Sequence, residues 1–103
     1  MSIKADQDAK RMRAIGHKLK PVVIIAGKGL TDGVIAEIDR ALTDHELIKI
    51  KLAADSREAR AELTKQISAR TGAELVQSVG HVALMLRRAK KPDPRLSNLI
   101  KPL

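Results

Sequence analysis

Four consecutive β-branched residues, at positions 22–25, stand between Pro21 and a loop that contains two glycines. Such a run is typical of a strand that is buried on both faces or lies at the centre of a sheet. Pro21 disfavours helix at the residue before it. After the loop, Thr31 is suited to cap a helix with one apolar face that runs to about Asp44. A strand, a glycine loop and a helix in this order predict an α/β domain.

The segments on either side of this unit also have clear periodicity. Residues 6–19 place apolar side chains at helical spacing with basic residues between them, which predicts an amphipathic helix. Residues 47–52 alternate, and this pattern predicts a half-buried strand with Lys49 and Lys51 on the face opposite to its isoleucines.

The second half of the chain predicts a helix and a hairpin. Asp55 or Ser56 is suited to cap the helix, and Gly72 to end it. Residues 73–79 and 82–87 read as two short strands joined by a tight Gly-His turn. The predicted order is α-β-α-β-α-β-β with a four-stranded mixed sheet. The helices that follow the first two strands should cover one face, leaving the other more open; we expect that open face to carry Lys49, Lys51, Met85 and Arg87.

The charge balance indicates a polyanionic partner. Twenty Lys and Arg against twelve Asp and Glu leave a net charge of +8 on 103 residues, with the surplus at the two ends of the chain. Nucleic acid and an anionic membrane are the two classes that such a surplus favours. Residues 1–88 are predicted to form one domain. Residues 89–103 contain three prolines, several cations and little to bury, which predicts a mobile basic tail.

Composition excludes several other classes. There is no cysteine, so disulfides, thiolate metal sites and a cysteine nucleophile are ruled out. Phe, Tyr and Trp are also absent, and with them the side chains on which most single-strand binders stack bases. No apolar run is long enough to suggest a membrane span, and the N-terminus does not resemble a secretory signal. We therefore expect a cytoplasmic protein without a membrane partner.

The loop Gly27-Lys28-Gly29 is the most informative local motif. A glycine-rich turn at a helix N-terminus exposes backbone N–H groups that favour a phosphate, and Lys28 adds an ammonium group. The same glycines are equally consistent with a tight strand-to-helix turn. Nucleotide-binding motifs fail, because the glycine that either the P-loop or the dinucleotide fingerprint needs is replaced by Asp32.

The remaining polar residues do not form a catalytic or metal-binding pattern. His17, His45 and His81 are far apart in the chain, and no two of them have the spacing of helical metal ligands. Asp44 and Glu46 flank His45 in a segment where a polar turn is expected anyway. The sequence therefore predicts no enzyme, no small-molecule substrate, no metal and no cofactor.

Four stretches together resemble a known family. They are LKPVVII at 19–25, GLTDGVIAEI at 29–38, HELIKIK at 45–51 and TGA at 71–73. In this order and spacing they look like the CRM domain, in the single-domain form of the YhbY-like ribosome-associated RNA-binding proteins. The resemblance implies a fold similar to the C-terminal domain of bacterial translation initiation factor three. It also implies an RNA-binding loop of the G-x-x-G kind found in KH domains, here Ala26 to Gly29 with alanine at the first position.

The combined prediction is an RNA-binding protein that associates with ribosomal RNA in precursors of the large subunit. Without aromatic side chains, it should hold RNA mainly by the backbone. The predicted RNA-binding residues are Arg11, Lys18, Lys20, Gly27, Lys28, Gly29, Lys49, Lys51, Arg87 and Arg88. The alternative is a protein-interaction module that docks on a ribosomal protein through Met85 and the open sheet face.

Overall fold

The computed structural model describes residues 3–26 and 29–100, with side chains described from residue 8 onward. The elements are α1 (Ile3–His17), β1 (Pro21–Ile25), α2 (Asp32–His45), β2 (Leu47–Leu52), α3 (Arg57–Thr71), β3 (Glu74–Val79) and β4 (Val82–Leu86). This order is the predicted one. The four strands form one mixed sheet in the order β1-β2-β4-β3. Strands β1 and β2 are parallel, and β4 is antiparallel to both of its neighbours.

The predicted helix caps are confirmed. The Thr31 hydroxyl accepts a hydrogen bond from the N–H of Val34 at 3.2 Å, and the Ser56 hydroxyl accepts one from Ala59 at 3.0 Å. Gly72 ends α3 with a φ of 79°, which a residue with a side chain rarely adopts. Local side-chain chemistry therefore sets where α2 and α3 begin and where α3 ends.

Strand β1 lies at the edge of the sheet, and the prediction that it is central or buried on both faces is wrong. Val23 and Ile25 are buried, whereas Val22 and Ile24 are 47% and 61% exposed. The β-branched run indicates an extended backbone, but it carries no information about how many neighbours the strand has. Val22 and Ile24 therefore form part of the protein surface at this edge of the sheet.

The main core lies between the sheet and the two helices α2 and α3, as predicted. Ile48, Ile50 and Leu52 point from β2 into this core, where they meet Ile38 of α2 and Ile67 of α3. Lys49 and Lys51 lie on the opposite face, which confirms the alternation in β2.

Two residues expected on the open face belong to the α2–α3 side instead. Met85 pairs with Ile48 and is completely buried in the main core. Arg87, two residues further on, bonds to α2 and to the end of α3. The reason is the pairing register: Lys49 pairs with Leu84, so the odd-numbered residues of β4 share a face with the even-numbered residues of β2.

Helix α1 covers part of the other sheet face. Met12 packs with Leu47, Leu84 and Leu86 in a second, smaller core. Gly16 allows the helix to approach β4 closely, because a methyl group there would lie 2.5 Å from the Cδ2 atom of Leu84. The helix ends at His17, so the half of this face that lies toward Lys51 stays uncovered.

The segment after residue 88 packs against the domain, which corrects the prediction of a tail with little to bury. Ser97 is fully buried and donates to the Oε1 atom of Glu46 at 2.6 Å. The side-chain amide of Asn98 donates to the carbonyl of Leu47 at 2.6 Å, and Leu99 packs against the second core. Buried polar pairs hold this segment, and such pairs leave no hydrophobic periodicity to read. Residues 101–103 lie outside the described part.

None of the helices described in residues 3–26 and 29–100 has the length and apolar character needed to cross a membrane.

Candidate nucleic-acid interface

A backbone hydrogen bond joins the two residues Ala26 and Gly29 at the carboxyl end of β1. The N–H of Gly29 donates to the carbonyl of Ala26 at 2.8 Å, and Gly29 has a φ of 67°. The chain then enters α2 through its cap, Thr31. Gly29 therefore needs the backbone freedom of glycine. Gly27 and Lys28, the other two residues predicted to bind RNA here, lie outside the described residues.

The first turn of α2 is suited to binding an anion, but an aspartate compensates part of its positive charge. The opening N–H groups of any helix have no partner within the helix and carry a partial positive charge. Asp32 lies in this first turn, where its carboxylate competes with a bound phosphate. Arg70 of α3 donates to that carboxylate at 3.1 Å, so its negative charge is paired. This ion pair offsets part of the negative charge that the aspartate adds beside the loop.

Two further segments lie at the same end of the sheet. The carbonyl of Ile25 accepts from the N–H of Ala53, and the N–H of Leu52 donates to the carbonyl of His81. These bonds place the β2–α3 connection beside the end of β1, and the β3–β4 hairpin beside the end of β2. Both segments lie at the glycine-loop end of the sheet and were not part of the predicted site.

Arg57 and Arg60 at the start of α3 are candidate RNA contacts that the sequence prediction missed. They line a groove of about 350 Å³ that also includes Gly80 of the hairpin. Arg60 donates to the carbonyl of Ala54 at 2.8 Å, and its Nη1 atom lies 3.4 Å from Nε2 of His81. A usable signal was present, because crossover helices after parallel strands start at the same end of a sheet.

The uncovered half of the α1 side of the sheet is here called the open face. It consists of Ile24, Lys49, Lys51, Gln77, Val79 and Val82. Pairing places Ile24 beside Lys51 and Lys51 beside Val82, and cross-strand partners point to the same side. Lys51 is exposed and Lys49 is half-buried. The prediction that both lysines lie on the face opposite to the main core is confirmed.

The basic residues at the end of α1 adjoin this open face. Lys18 and Lys20 are exposed, and Lys20 lines a shallow pocket together with Lys49. Lys49 in turn pairs with Pro21, and Lys51 pairs with Ile24. Lys20, Lys49 and Lys51 therefore follow one another toward the glycine loop. At the rise of a β-strand, the four steps from the start to the end of β1 span about 13 Å.

The other predicted RNA-binding residues lie elsewhere. Arg11 on α1 donates to the carbonyl of Leu99 at 2.9 Å and so helps to hold the C-terminal segment. Arg88 is exposed in a groove with Asp8 and Glu74, at the end of the sheet away from the glycine loop. The structure does not bring these two residues to the row of lysines.

Arg87 connects three elements of the fold. Its guanidinium donates to the Oδ1 atom of Asp39 at 2.6 Å and to the backbone carbonyl of Asp39 at 2.9 Å. It also donates to the hydroxyl of Thr43 and to the carbonyl of Thr71, each at 2.9 Å. The side chain is 25% exposed, so these bonds are partly shielded from water. Such a network is typical of a residue that fixes the positions of α2 and α3.

We therefore expect Arg87→Met to lower the free energy of unfolding by about 2 kcal/mol, because several charge-assisted hydrogen bonds are lost. The loss is limited because Asp39 is 57% exposed, so that solvent screens its ion pair with Arg87. Arg88→Met removes the same charge from the exposed neighbour and should change stability by less than about 0.5 kcal/mol. Urea unfolding followed by circular dichroism measures both. Equal losses in the two variants would contradict the structural role of Arg87.

Within residues 3–26 and 29–100, no cluster of three His, Asp or Glu side chains could hold a metal ion. His45 is part of the C-terminal contact, since its Nδ1 atom lies 2.8 Å from the carbonyl of Leu96. His81 lies beside Arg60. His45 and His81 thus make structural contacts, the first with the backbone and the second with an arginine.

Comparison with known proteins decides the family. Residues 5–87 match the family model described as the CRS1 / YhbY (CRM) domain. The chain belongs to this family. The matched segment ends before the C-terminal contact, which residues 96–99 of this CRM-domain protein make outside the matched range.

Relatives and a solved structure agree with that assignment. The CRM-domain protein is 50% identical over 93 residues to "Probable RNA-binding protein PA4753" of Pseudomonas aeruginosa, covering 90% of this chain and 89% of the relative. It is 40% identical over 85 residues to "RNA-binding protein" of Haemophilus influenzae, covering 82% and 86%. The solution structure of a hypothetical Staphylococcus aureus protein is similar, with a TM-score of 0.73 and 28% identity over 82% of this chain and 88% of the other.

Proposed function

We propose that this CRM-domain protein binds RNA without catalysis, and that its target is ribosomal RNA in cytoplasmic precursors of the large ribosomal subunit. The observation that carries the RNA part is the row of Lys20, Lys49 and Lys51 that leads along one sheet face to the glycine loop. The names of the two relatives support RNA as the partner. The resemblance to YhbY-like proteins supports ribosomal RNA in particular.

The proposed binding mode is contact with the sugar-phosphate backbone. Lysine ammonium groups attract phosphates as mobile point charges, and binding releases counterions from the RNA. The glycine loop adds backbone N–H groups at the start of α2, with Gly27, Lys28 and Gly29 contacting phosphate. Alanine in place of the first loop glycine leaves this arrangement with glycine at the second and fourth positions. Arg57 and Arg60 would extend the contact beyond the loop.

The alternative of a protein-interaction module is not supported at the residue on which it depended. Met85, through which docking was expected, is completely buried in the main core. The open face instead presents lysines, which suit a polyanion.

Crosslinking of the tagged protein in cells, followed by sequencing of the attached RNA, tests the proposal. We expect large-subunit ribosomal RNA to dominate, and Lys28→Glu to reduce the crosslinked RNA by about tenfold, because reversing one phosphate contact both removes attraction and adds repulsion. Lys65→Glu, an equal charge change on the exposed side of α3, is the matched control and should retain the yield. If messenger or transfer RNA dominates the crosslinked RNA, the ribosomal assignment is contradicted. If the unaltered protein yields no crosslinked RNA, RNA binding itself is contradicted.

A further inference from the structure

A cleft of about 230 Å³ lies on the open face, between the end of α1, the start of β1 and strands β2, β4 and β3. Its apolar surface comes from Pro21, Val79, Val82 and Leu84. His17, Lys49 and Gln77 supply its polar groups. The volume is below the roughly 300–1,000 Å³ of pockets for drug-sized ligands, so the cleft is suited to one small ring system.

The apolar part of this cleft is not explained by the packing of the domain. Val79 is 64% exposed, although it sits on a strand and faces the same side as the half-buried Val82. Helix α1 ends at His17 and covers neither valine. No part of the chain that the structure describes shields Val79, so it is accessible to a bound molecule.

Charge and hydrogen-bonding capacity indicate what the occupant is. Among the described residues that line the cleft, none is acidic, and Lys49 has Lys51 as its neighbour on the same strand face. Two residues along a strand separate these lysines by roughly 7 Å. The amide of Gln77 can both donate and accept hydrogen bonds. A flat apolar body with polar edges, joined to anionic groups, matches this set, and a nucleotide within an RNA strand has those properties.

We propose that this cleft holds one unpaired base of the bound RNA, with the flanking phosphates on Lys49 and Lys51. This rests on the proposed function and adds to it a subsite that contacts a base as well as the backbone. One face of the base lies on Val79 and Val82, and its edge meets Gln77. Because bases within a duplex are stacked and paired, the subsite makes the protein favour single-stranded or looped RNA.

The composition of the chain makes the test unusually direct. Without Phe, Tyr or Trp, the protein contains no aromatic rings except three histidines. In the double variant with His17→Gln and His81→Gln, the ring that lines the cleft and the ring in the turn between Val79 and Val82 are also removed. An upfield ring-current shift of the Val79 and Val82 methyl signals must then come from an RNA base. The probes are octaadenylate, a twelve-base-pair RNA duplex and adenosine monophosphate.

We expect saturating octaadenylate to shift both valine methyl signals upfield, and the duplex to leave them unmoved. Adenosine monophosphate at the same concentration should also leave them unmoved, since it lacks the further phosphates that the lysines contact. Shifts with the duplex, or equal shifts with the mononucleotide, would overturn the proposal of a subsite for an unpaired base in a strand.

Affinity measurements separate this proposal from the proposed function. Val79→Ser should weaken octaadenylate binding about tenfold through lost apolar contact, while duplex affinity stays the same. Ile100→Ser is the matched control, because Ile100 is an exposed apolar residue of the C-terminal segment that lines neither the cleft nor the groove of Arg57 and Arg60. If the unaltered protein binds RNA but Val79→Ser and the methyl signals show no effect, the subsite is wrong, while backbone binding by the open-face lysines stands. If the unaltered protein binds none of these RNAs and no ribosomal fragment, the proposed function fails as well.

Discussion

Truncation after Arg95 should lower the free energy of unfolding by about 3 kcal/mol and the melting temperature by roughly 12–24 °C. The truncation removes two buried donors, the hydroxyl of Ser97 and the side-chain amide of Asn98. Their acceptors, the carboxylate of Glu46 and the carbonyl of Leu47, would lose those partners. The apolar contact of Leu99 with the second core is lost at the same time.

Glu46 is the reason for so large an effect. It is 3% exposed and has a φ of 64°, which is costly for a residue with a side chain. Its carboxylate accepts from the N–H of Ala89 as well as from Ser97, and its backbone carbonyl accepts from the N–H of Arg87. The C-terminal segment therefore helps to stabilise the turn between α2 and β2.

A control separates packing from charge in this segment. Arg88→Gln, Lys90→Gln and Lys91→Gln together remove three exposed cations and leave Ser97 and Asn98 in place. This triple variant should change the melting temperature by only a few degrees, because exposed charges contribute little to stability. Thermal unfolding followed by circular dichroism measures both proteins. An unchanged melting temperature in the truncated protein would show that the buried contacts of residues 96–100 do not contribute to stability.

Reversal of both open-face lysines, Lys49→Glu with Lys51→Glu, should weaken binding to a large-subunit ribosomal RNA fragment about 100-fold at 0.1 M salt. Both ammonium groups lie on the row that leads to the glycine loop, so two attractive contacts become repulsive. The slope of log affinity against log salt should also become shallower by about 1.4, since each phosphate contact to a single strand contributes about 0.7. Fluorescence anisotropy with labelled RNA over a salt series measures both quantities.

The matched control is Lys65→Glu with Lys90→Glu, which changes the net charge by the same amount at two exposed positions away from the open face. It should weaken binding only a few-fold, through the general loss of positive charge. Circular dichroism should show that both double variants are folded. This control is needed because Lys49 is half-buried, and a glutamate there can affect folding. Equal losses of affinity in the two double variants would mean that net charge rather than the open face determines RNA binding.

The sequence predicted those parts of the fold that local patterns determine. Alternation in β2 placed Lys49 and Lys51 on one face, and the hydroxyls of Thr31 and Ser56 set the starts of α2 and α3. The edge position of β1 could not be predicted in this way, because β-branched residues favour an extended backbone in any strand of a sheet.

The parts that were missed depend on contacts between distant residues. Arg87 bonds to Asp39, 48 positions earlier in the chain, and Ser97 to Glu46, 51 positions earlier. An arginine at the end of a predicted strand and a serine between a leucine and an asparagine give no local sign of such partners. The same limit applies to the candidate site. Strand alternation was enough to predict the positions of Lys49 and Lys51. Arg57 was identified as a candidate RNA contact only from the structure, which shows which segments lie at the same end of the sheet.

The central claim is that RNA lies on the open face and reaches the glycine loop. Backbone amide NMR of the full chain, titrated with a large-subunit ribosomal RNA fragment, tests it most directly. We expect the amide signals of Gly29, Ile24 and Lys51 to move together with increasing RNA, while those of Glu37 and Lys65 on the exposed sides of α2 and α3 stay in place. Movement of the Glu37 and Lys65 signals with an unchanged open face and loop would contradict the account.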